Sequence, residues 1–336
     1  MKKWCPLFLL LLILFVHNLS FAQHISAADN EYLRKKEDSL KAFANKIILG
    51  RNSDDRLSAD SMFTKMLVRA LKTPHSFYYP FDSLQTISML YAPDSSFKIF
   101  TWQLMINENV IRHHGAIQMR TYDGSLKLFR LIDRSVVTTH IADTVGNNMG
   151  WIGAIYYKII QKKSFNQSYY TLLGFDEHNI RSDRKIIEVL SFSNEEPVFG
   201  GRYFSFEEDT AFRPAISRYI MEFKKDAGPR LTYDPELDMI VMEHLISESD
   251  QPGKKWTYIG DGDYEGFKWK SGKWIHVPKV YYVVTPEGKV PVPNPVRDNN
   301  GNLLDDKTNA TDDDKQTNDG NQKNKPVTPK KKKGEE

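Results

Sequence analysis

The sequence predicts a mainly β protein: a large antiparallel sheet folded as a sandwich, an open barrel or a strongly curved sheet, with two helices ahead of it and a disordered tail behind. Three observations predict it. From about Thr86 to Val284, short aromatic and β-branched runs are separated by Gly, Pro, Asn and Asp turns, the pattern of antiparallel strands. Ahead of them, two apolar stripes recur at helical spacing. Behind them, residues 295–336 are rich in Asn, Asp, Lys, Thr and Pro, and after Leu304 only Ala310 and Val327 are apolar, too little to offset the entropy of ordering.

Lys2 and Lys3 precede an unbroken apolar run, Leu7 to Val16, and a small-residue site follows at Ser20-Phe21-Ala22. A basic start, a short apolar centre and small residues at −3 and −1 make residues 1–22 a secretory signal peptide, with the mature chain beginning at Gln23. The run is too short to span a bilayer as a mature helix. The only cysteine, Cys5, precedes the run, whereas a lipidated cysteine would directly follow it. The mature protein then has no disulfide, no thiol nucleophile and no thiolate metal site. Formal charge falls from +3 to +1 once Lys2 and Lys3 leave. That balance gives no field for drawing in nucleic acid or an anionic membrane.

The helical segment occupies residues 23–75. Tyr32, Leu33, Leu40, Phe43, Ala44, Ile47 and Ile48 form its first stripe after Asp29 and Asn30, and Gly50 closes it as a C-cap. In the second, Ser58 is the expected N-cap, Asp60 sits in the first turn, Phe63, Met66, Leu67, Ala70 and Leu71 form the stripe, and Pro74 stops it. Both stripes are expected to pack on the sheet. The β domain, 76–294, carries strands over Lys98–Ile106, Ile111–Thr121, Leu126–Ile132, Ile152–Ile160, Tyr169–Phe175, Lys185–Phe192, Ile216–Lys224, Met239–Leu245, Tyr264–Trp269 and Trp274–Val277. Asn107–Asn109, Asp234–Asp238 and Ser271-Gly272 read as hairpin connections. The tail, 295–336, runs from an acidic block, Asp305 to Asp319, to Lys330–Lys333 and reads as solvated.

Neighbours in a strand face opposite ways, so His113 and His114 cannot close on one metal ion. His113 shares a face with Ile117 and Met119 and reads as core or rim; His114 shares one with Gln118 and Arg120 and reads as exposed. Asp261-Gly-Asp263-Tyr-Glu265-Gly266 opens like a calcium loop, but Gly272 stands where the closing bidentate Glu is needed, so a β-turn entering a hairpin is expected instead. The same run misses the dinucleotide fingerprint by one residue. Asp298-Asn-Asn-Gly301-Asn302 likewise reads as a turn. No metal site and no cofactor are expected.

Carboxylates that could serve a hydrolase are Asp176, Glu177, Glu188, Asp234, Glu236, Asp238, Asp261 and Asp263, none marked out by spacing. There is no G-x-S-x-G elbow, no H-E-x-x-H and no P-loop. Catalytic residues stay unassigned. Tyr78, Tyr79, Trp256, Tyr258 and Tyr264, near turns, could stack on sugar rings, anchor a partner or fill the core.

Trp102-Gln-Leu-Met-Ile-Asn, Gly115-Ala-Ile-Gln-Met119, Trp151-Ile-Gly-Ala-Ile-Tyr-Tyr-Lys-Ile-Ile160, Tyr169-Tyr-Thr-Leu-Leu-Gly-Phe-Asp176, Pro197-Val-Phe-Gly200 and Tyr233-Asp-Pro-Glu-Leu-Asp-Met-Ile-Val-Met-Glu-His-Leu245 resemble a group of uncharacterised exported proteins from Bacteroidetes, over roughly the middle half of the chain. That group carries no assigned activity, so the resemblance transfers no catalytic residue. It implies residence in the periplasm or at the cell surface. It also singles out Asp-Ser/Thr-apolar tripeptides resembling that lineage's O-glycosylation signal: Asp38-Ser39-Leu40, Asp60-Ser61-Met62, Asp82-Ser83-Leu84, Asp143-Thr144-Val145 and Asp209-Thr210-Ala211. The resulting expectation is an exported envelope protein that binds a protein or glycan partner and no nucleic acid, with no transmembrane segment after cleavage. The alternative is a secreted carboxylate-dependent hydrolase acting on glycans.

Sequencing the N-terminus of the protein from its native host should return Gln23 or its cyclised form. Retention of residues 1–22 on the mature protein would overturn the signal-peptide reading.

Overall fold

A computed structural model describes residues 25–206 and 214–281 of the chain. They lie in the first of two units, Met1–Tyr282. The signal peptide, the Asp209–Ala211 tripeptide, the Asp298–Asn302 turn and the tail all lie outside the described residues.

Helices α1 (Ala27–Leu49) and α2 (Ser53–Leu71) form the first layer. Ser26 caps α1, its hydroxyl accepting the Asp29 N–H at 3.0 Å. The cap of α2 is Asn52 and not Ser58: Asn52 Oδ1 accepts the Asp55 N–H at 2.9 Å, and Asp54 and Asp55 sit where the helix dipole favours negative charge. Ser58 is an interior residue of that helix. Gly50 follows α1 in an extended conformation, and its reason is space, since a Cβ there would lie 2.7 Å from the Lys46 carbonyl and 2.8 Å from Arg56 Cγ. The α1 stripe buries Leu33, Leu40, Ala44 and Ile47 but leaves Tyr32 and Ile48 exposed. Glu37, buried on that stripe, accepts from the Tyr79 hydroxyl at 2.5 Å and the Ser83 N–H at 2.7 Å.

Both helices pack on β2 of a four-stranded antiparallel sheet ordered β1-β2-β3-β4, with β1 Ser88–Tyr91, β2 Phe97–Asn107, β3 Val110–Met119 and β4 Lys127–Ile132. Phe100, Trp102 and Leu104 face the helices; Phe97, Ile99, Ile117 and Leu131 face the other way into a second core.

That second core is closed by a middle sheet ordered β5-β9-β8-β7-β6, from β5 Gly146–Asn147, β6 Ile155–Ser164, β7 Gln167–Asp176, β8 Ser182–Ser193 and β9 Glu196–Phe199. The third sheet is ordered β10-β15-β14-β13-β12, from β10 Phe204–Ser205, β12 Leu231–Asp234, β13 Met239–Ser247, β14 Tyr258–Lys270 and β15 Lys273–Val277. Strand β11, Arg218–Lys224, joins the middle sheet on the side of β8 away from β7. Pairing is antiparallel except between β10 and β15. Among the described residues the architecture is therefore four layers, helices and three sheets, around three apolar cores.

The middle sheet is covered on both faces. Its strands read as continuous apolar runs, and successive residues serve different cores: Leu172, Ile186 and Leu190 the second, Leu173, Ile187 and Val189 the third. Glu188 interrupts that run and is fully buried. Its cross-strand neighbour Arg218, also buried, donates to it from Nε at 2.7 Å and lies 2.6 Å away through Nη2. The Tyr156 hydroxyl donates to the second carboxylate oxygen, and Trp151 Nε1 donates to that hydroxyl at 2.7 Å.

Strands β1, β5, β9, β10 and β12 escape the sequence pattern because they span only two to four residues each. The Asp261–Gly266 run is not a turn entering a hairpin. It lies inside β14, where Glu243 pairs Tyr264 and Leu245 pairs Gly260, so Asp261-Gly262-Asp263 forms a bulge with Gly262 at φ +86°. The connections at Asn107–Asn109, Asp234–Asp238 and Ser271-Gly272 join hairpins as expected.

Replacing Arg218 by Met leaves the buried Glu188 carboxyl without its counter-charge and should cost about 3–5 kcal/mol of unfolding free energy, while Arg218→Met with Glu188→Leu should restore most of it. Urea unfolding of both variants checks this, and a loss under about 1 kcal/mol for the single variant would show that the ion pair is not what stabilises the middle sheet.

Candidate functional site

Helix α2 packs on β2 of the first sheet and leaves the half of the same face on β3 and the edge strand β4 partly open. A groove of about 670 Å³ results, with Leu67, Val68 and Leu71 of α2 on one side and Ala116, Leu128 and Ile132 of the sheet on the other. Side chains two apart on β3 share this face, so Arg112, His114 and Ala116 all turn toward it.

Its polar wall centres on Asp60, buried in α2. One carboxylate oxygen accepts from Trp102 Nε1 at 2.7 Å and lies 2.8 Å from His114 Nδ1. A carboxylate only accepts, so the His114 Nδ1 carries the proton and Nε2 is left without a partner among the described residues. Trp102 is itself held edge-on by Phe63 at 5.2 Å and meets the His114 ring edge-on at 5.8 Å. The helix thus supplies the acid, one strand supplies the indole, and the next supplies the imidazole.

His114 is therefore not the free surface residue its alternation suggests: the face it shares with buried Gln118 is covered by helices, and its side chain is only 35% exposed. His113 points the other way and is buried, in agreement with its pattern. Its Nδ1 lies 3.5 Å from Asp133 and its Nε2 3.7 Å from Asp176, both carboxylates also buried. Burial alone would raise the Asp133 carboxyl, but His113 and Ser135 outweigh it and hold that group well below the usual carboxylate range. Neighbouring His178 is lowered, first by burial and then by Arg184. Among the described residues, no group of three or more His, Cys, Asp or Glu is placed to hold a metal ion.

The other acids are dispersed. Glu177 meets Lys225 and Gln103, and Asp238 meets Lys162. Asp234 accepts the N–H groups of Glu236 and Leu237 in a turn where Glu236 is exposed. Asp261 pairs with His244 at 2.7 Å and Asp263 with Lys279 at 3.2 Å. None of these borders the groove. Nor do the five turn aromatics form one platform: Tyr78 packs edge-on against Phe77 at 5.4 Å, Tyr79 is core, Arg181 lies over Trp256 at 5.6 Å, Lys255 lies over Tyr258 at 4.1 Å, and Tyr264 packs on Tyr281. Of the tripeptide hydroxyls, Ser39 and Ser61 are exposed on helices, Ser83 Oγ is buried without a partner, and Thr144 donates to the Ile141 carbonyl.

No protein family matches the chain, and no curated protein does. Among solved structures, an exo-beta-1,3-galactanase from Clostridium thermocellum is matched at 10% identity and a TM-score of 0.16, over 57% of this chain and 49% of that one. The chain spans about half the length of that enzyme, and at such a score neither fold nor activity passes between them.

Away from the groove, Lys98 is fully buried on the helix-facing side of β2. Its ammonium donates to the carbonyls of Ser76 and Tyr79, each at 3.1 Å, and sits among the rings of Phe77, Phe81, Tyr91 and Phe100 at 5.1 to 5.7 Å. Burial lowers it to about 7, against the carbonyls and rings, which favour the cation. Since the unfolded lysine binds its proton up to about 10.4, the folded state gains stability from this group as pH rises from 7 to 9. Relative to Lys98→Met, the wild-type unfolding free energy should climb over that range by up to about 1.4 kcal/mol per pH unit, the limit for one proton. Parallel curves in urea would show that Lys98 stays charged.

Proposed function

We propose that this is an exported binding protein of the cell envelope whose ligand occupies the groove between α2 and the β3–β4 edge. Export is supported by the residue pattern of the first 22 residues and by the resemblance to exported proteins. Binding is supported above all by the groove: a mainly apolar floor with a few convergent polar groups, Asp60, His114 and Trp102, at one wall. Apolar lining supplies affinity and the fixed polar groups supply orientation.

A carboxylate-dependent hydrolase needs two acids facing each other at roughly 5 to 10 Å across the substrate. Of the acids lining the groove, Asp60 is held by Trp102 and His114, and Asp133 by the N–H groups of His113, Ser135 and Gly153. Binding accounts for this arrangement better than glycan hydrolysis does.

The neutral fluorophore N-phenyl-1-naphthylamine should bind saturably at a single site, and Val68→Trp, which fills the groove from the α2 side, should abolish that binding with the far-ultraviolet circular dichroism unchanged. Absence of saturable binding, or binding that Val68→Trp leaves intact, would overturn the assignment.

A further inference from the structure

We propose that the occupant of this groove is a single-chain amphiphile with a carboxylate head. The proposal rests on the groove being the ligand site and adds the chemistry of what it takes. Three cations border it: Lys65 from α2, Arg112 from β3 and Arg130 from β4. None has an acidic partner among the described residues. Arg112 is half-buried, and a guanidinium drawn out of water without a counter-charge is costly unless an anion completes it.

The charge at the rim is therefore unbalanced, and its sign selects the head group. Two carboxylates, Asp60 and Asp133, line the same groove, engaged by Trp102 and His114 and by three backbone N–H groups, so the three cations leave a formal excess of one positive charge, which a monoanion balances and a dianion exceeds. A carboxylate fits both conditions, since it is a monoanion whose two oxygens match the fork of an arginine. The apolar floor selects the rest of the molecule. Leu67, Val68, Leu71, Leu128 and Ile132 offer no hydrogen bond to a sugar ring, so the part of the ligand lying on them is hydrocarbon.

Calorimetric titration of the mature protein with dodecanoate, dodecanol, dodecylamine and dodecyl phosphate, each below its micelle concentration, tests this. Dodecanoate should bind at least tenfold more tightly than dodecanol, from hydrogen bonds to a charged group. Dodecylamine should bind more weakly than either, and dodecanoate at least as tightly as dodecyl phosphate. Affinity along the octanoate, decanoate, dodecanoate series should rise by about fourfold per methylene until the groove is full. Added salt should weaken dodecanoate and leave dodecanol unchanged. Arg112→Gln with Arg130→Gln should bring dodecanoate down to the affinity of dodecanol while N-phenyl-1-naphthylamine binds as before. Equal affinity for dodecanoate and dodecanol, or no effect of the double variant on dodecanoate, overturns the anionic head even though the neutral fluorophore still binds. Dodecyl phosphate binding tenfold more tightly than dodecanoate overturns the choice of carboxylate. Failure of the neutral fluorophore as well would overturn the groove itself.

Discussion

Two-sided burial of the middle sheet is the constraint on which the rest of this structure depends. A sheet with apolar side chains on both faces has no surface to give to water, so it requires another layer on each side. The chain meets that requirement with the first sheet over one face and the third over the other. Glu188 and Arg218 show how tightly the arrangement is closed, because a carboxylate inside it survives only through a guanidinium on the adjacent strand and a donated phenol proton. Tyr156, Trp151 and the Ile141 carbonyl complete that network, tying β6, β8, β11 and the loops between them into one hydrogen-bonded block.

The first sheet is apolar on both faces for the same reason and needs a cover of its own. Two helices supply it, but their packing is centred on β2, and a pair of helices does not span four strands. The groove is what remains uncovered. Its lining combines Leu67, Val68 and Leu71 of α2 and Leu128 and Ile132 of the sheet with three cations, Lys65, Arg112 and Arg130, while Asp60 and His114 pair where helix and sheet meet.

Legibility from sequence followed period and length. Runs such as Ile99–Trp102 and Leu172-Leu173 marked strands, and the α1 and α2 stripes marked helices, because burial imposes a repeat on consecutive residues. Short pairings such as β5 and β10 left no repeat to find. The bulge at Asp261–Asp263 carried the composition of a turn because both need a glycine at positive φ and an aspartate accepting a backbone N–H two residues on. At the candidate site, Asp60 read as a first-turn acid and as the start of an Asp-Ser-Met tripeptide, and His114 as an outward-facing residue. Their pairing spans 54 positions, and nothing local connects them.

By itself the sequence determined the helical pair, the antiparallel β character and the inward orientation of His113, since each depends on neighbours within a few residues. Only the tertiary structure decided that the described residues form three sheets, that the middle one is covered on both faces, and that Asp60, Trp102 and His114 converge beside an open groove. Those outcomes depend on which faces meet, and pairing between distant segments is set by burying all apolar faces at once, a condition on the whole chain that no short stretch carries.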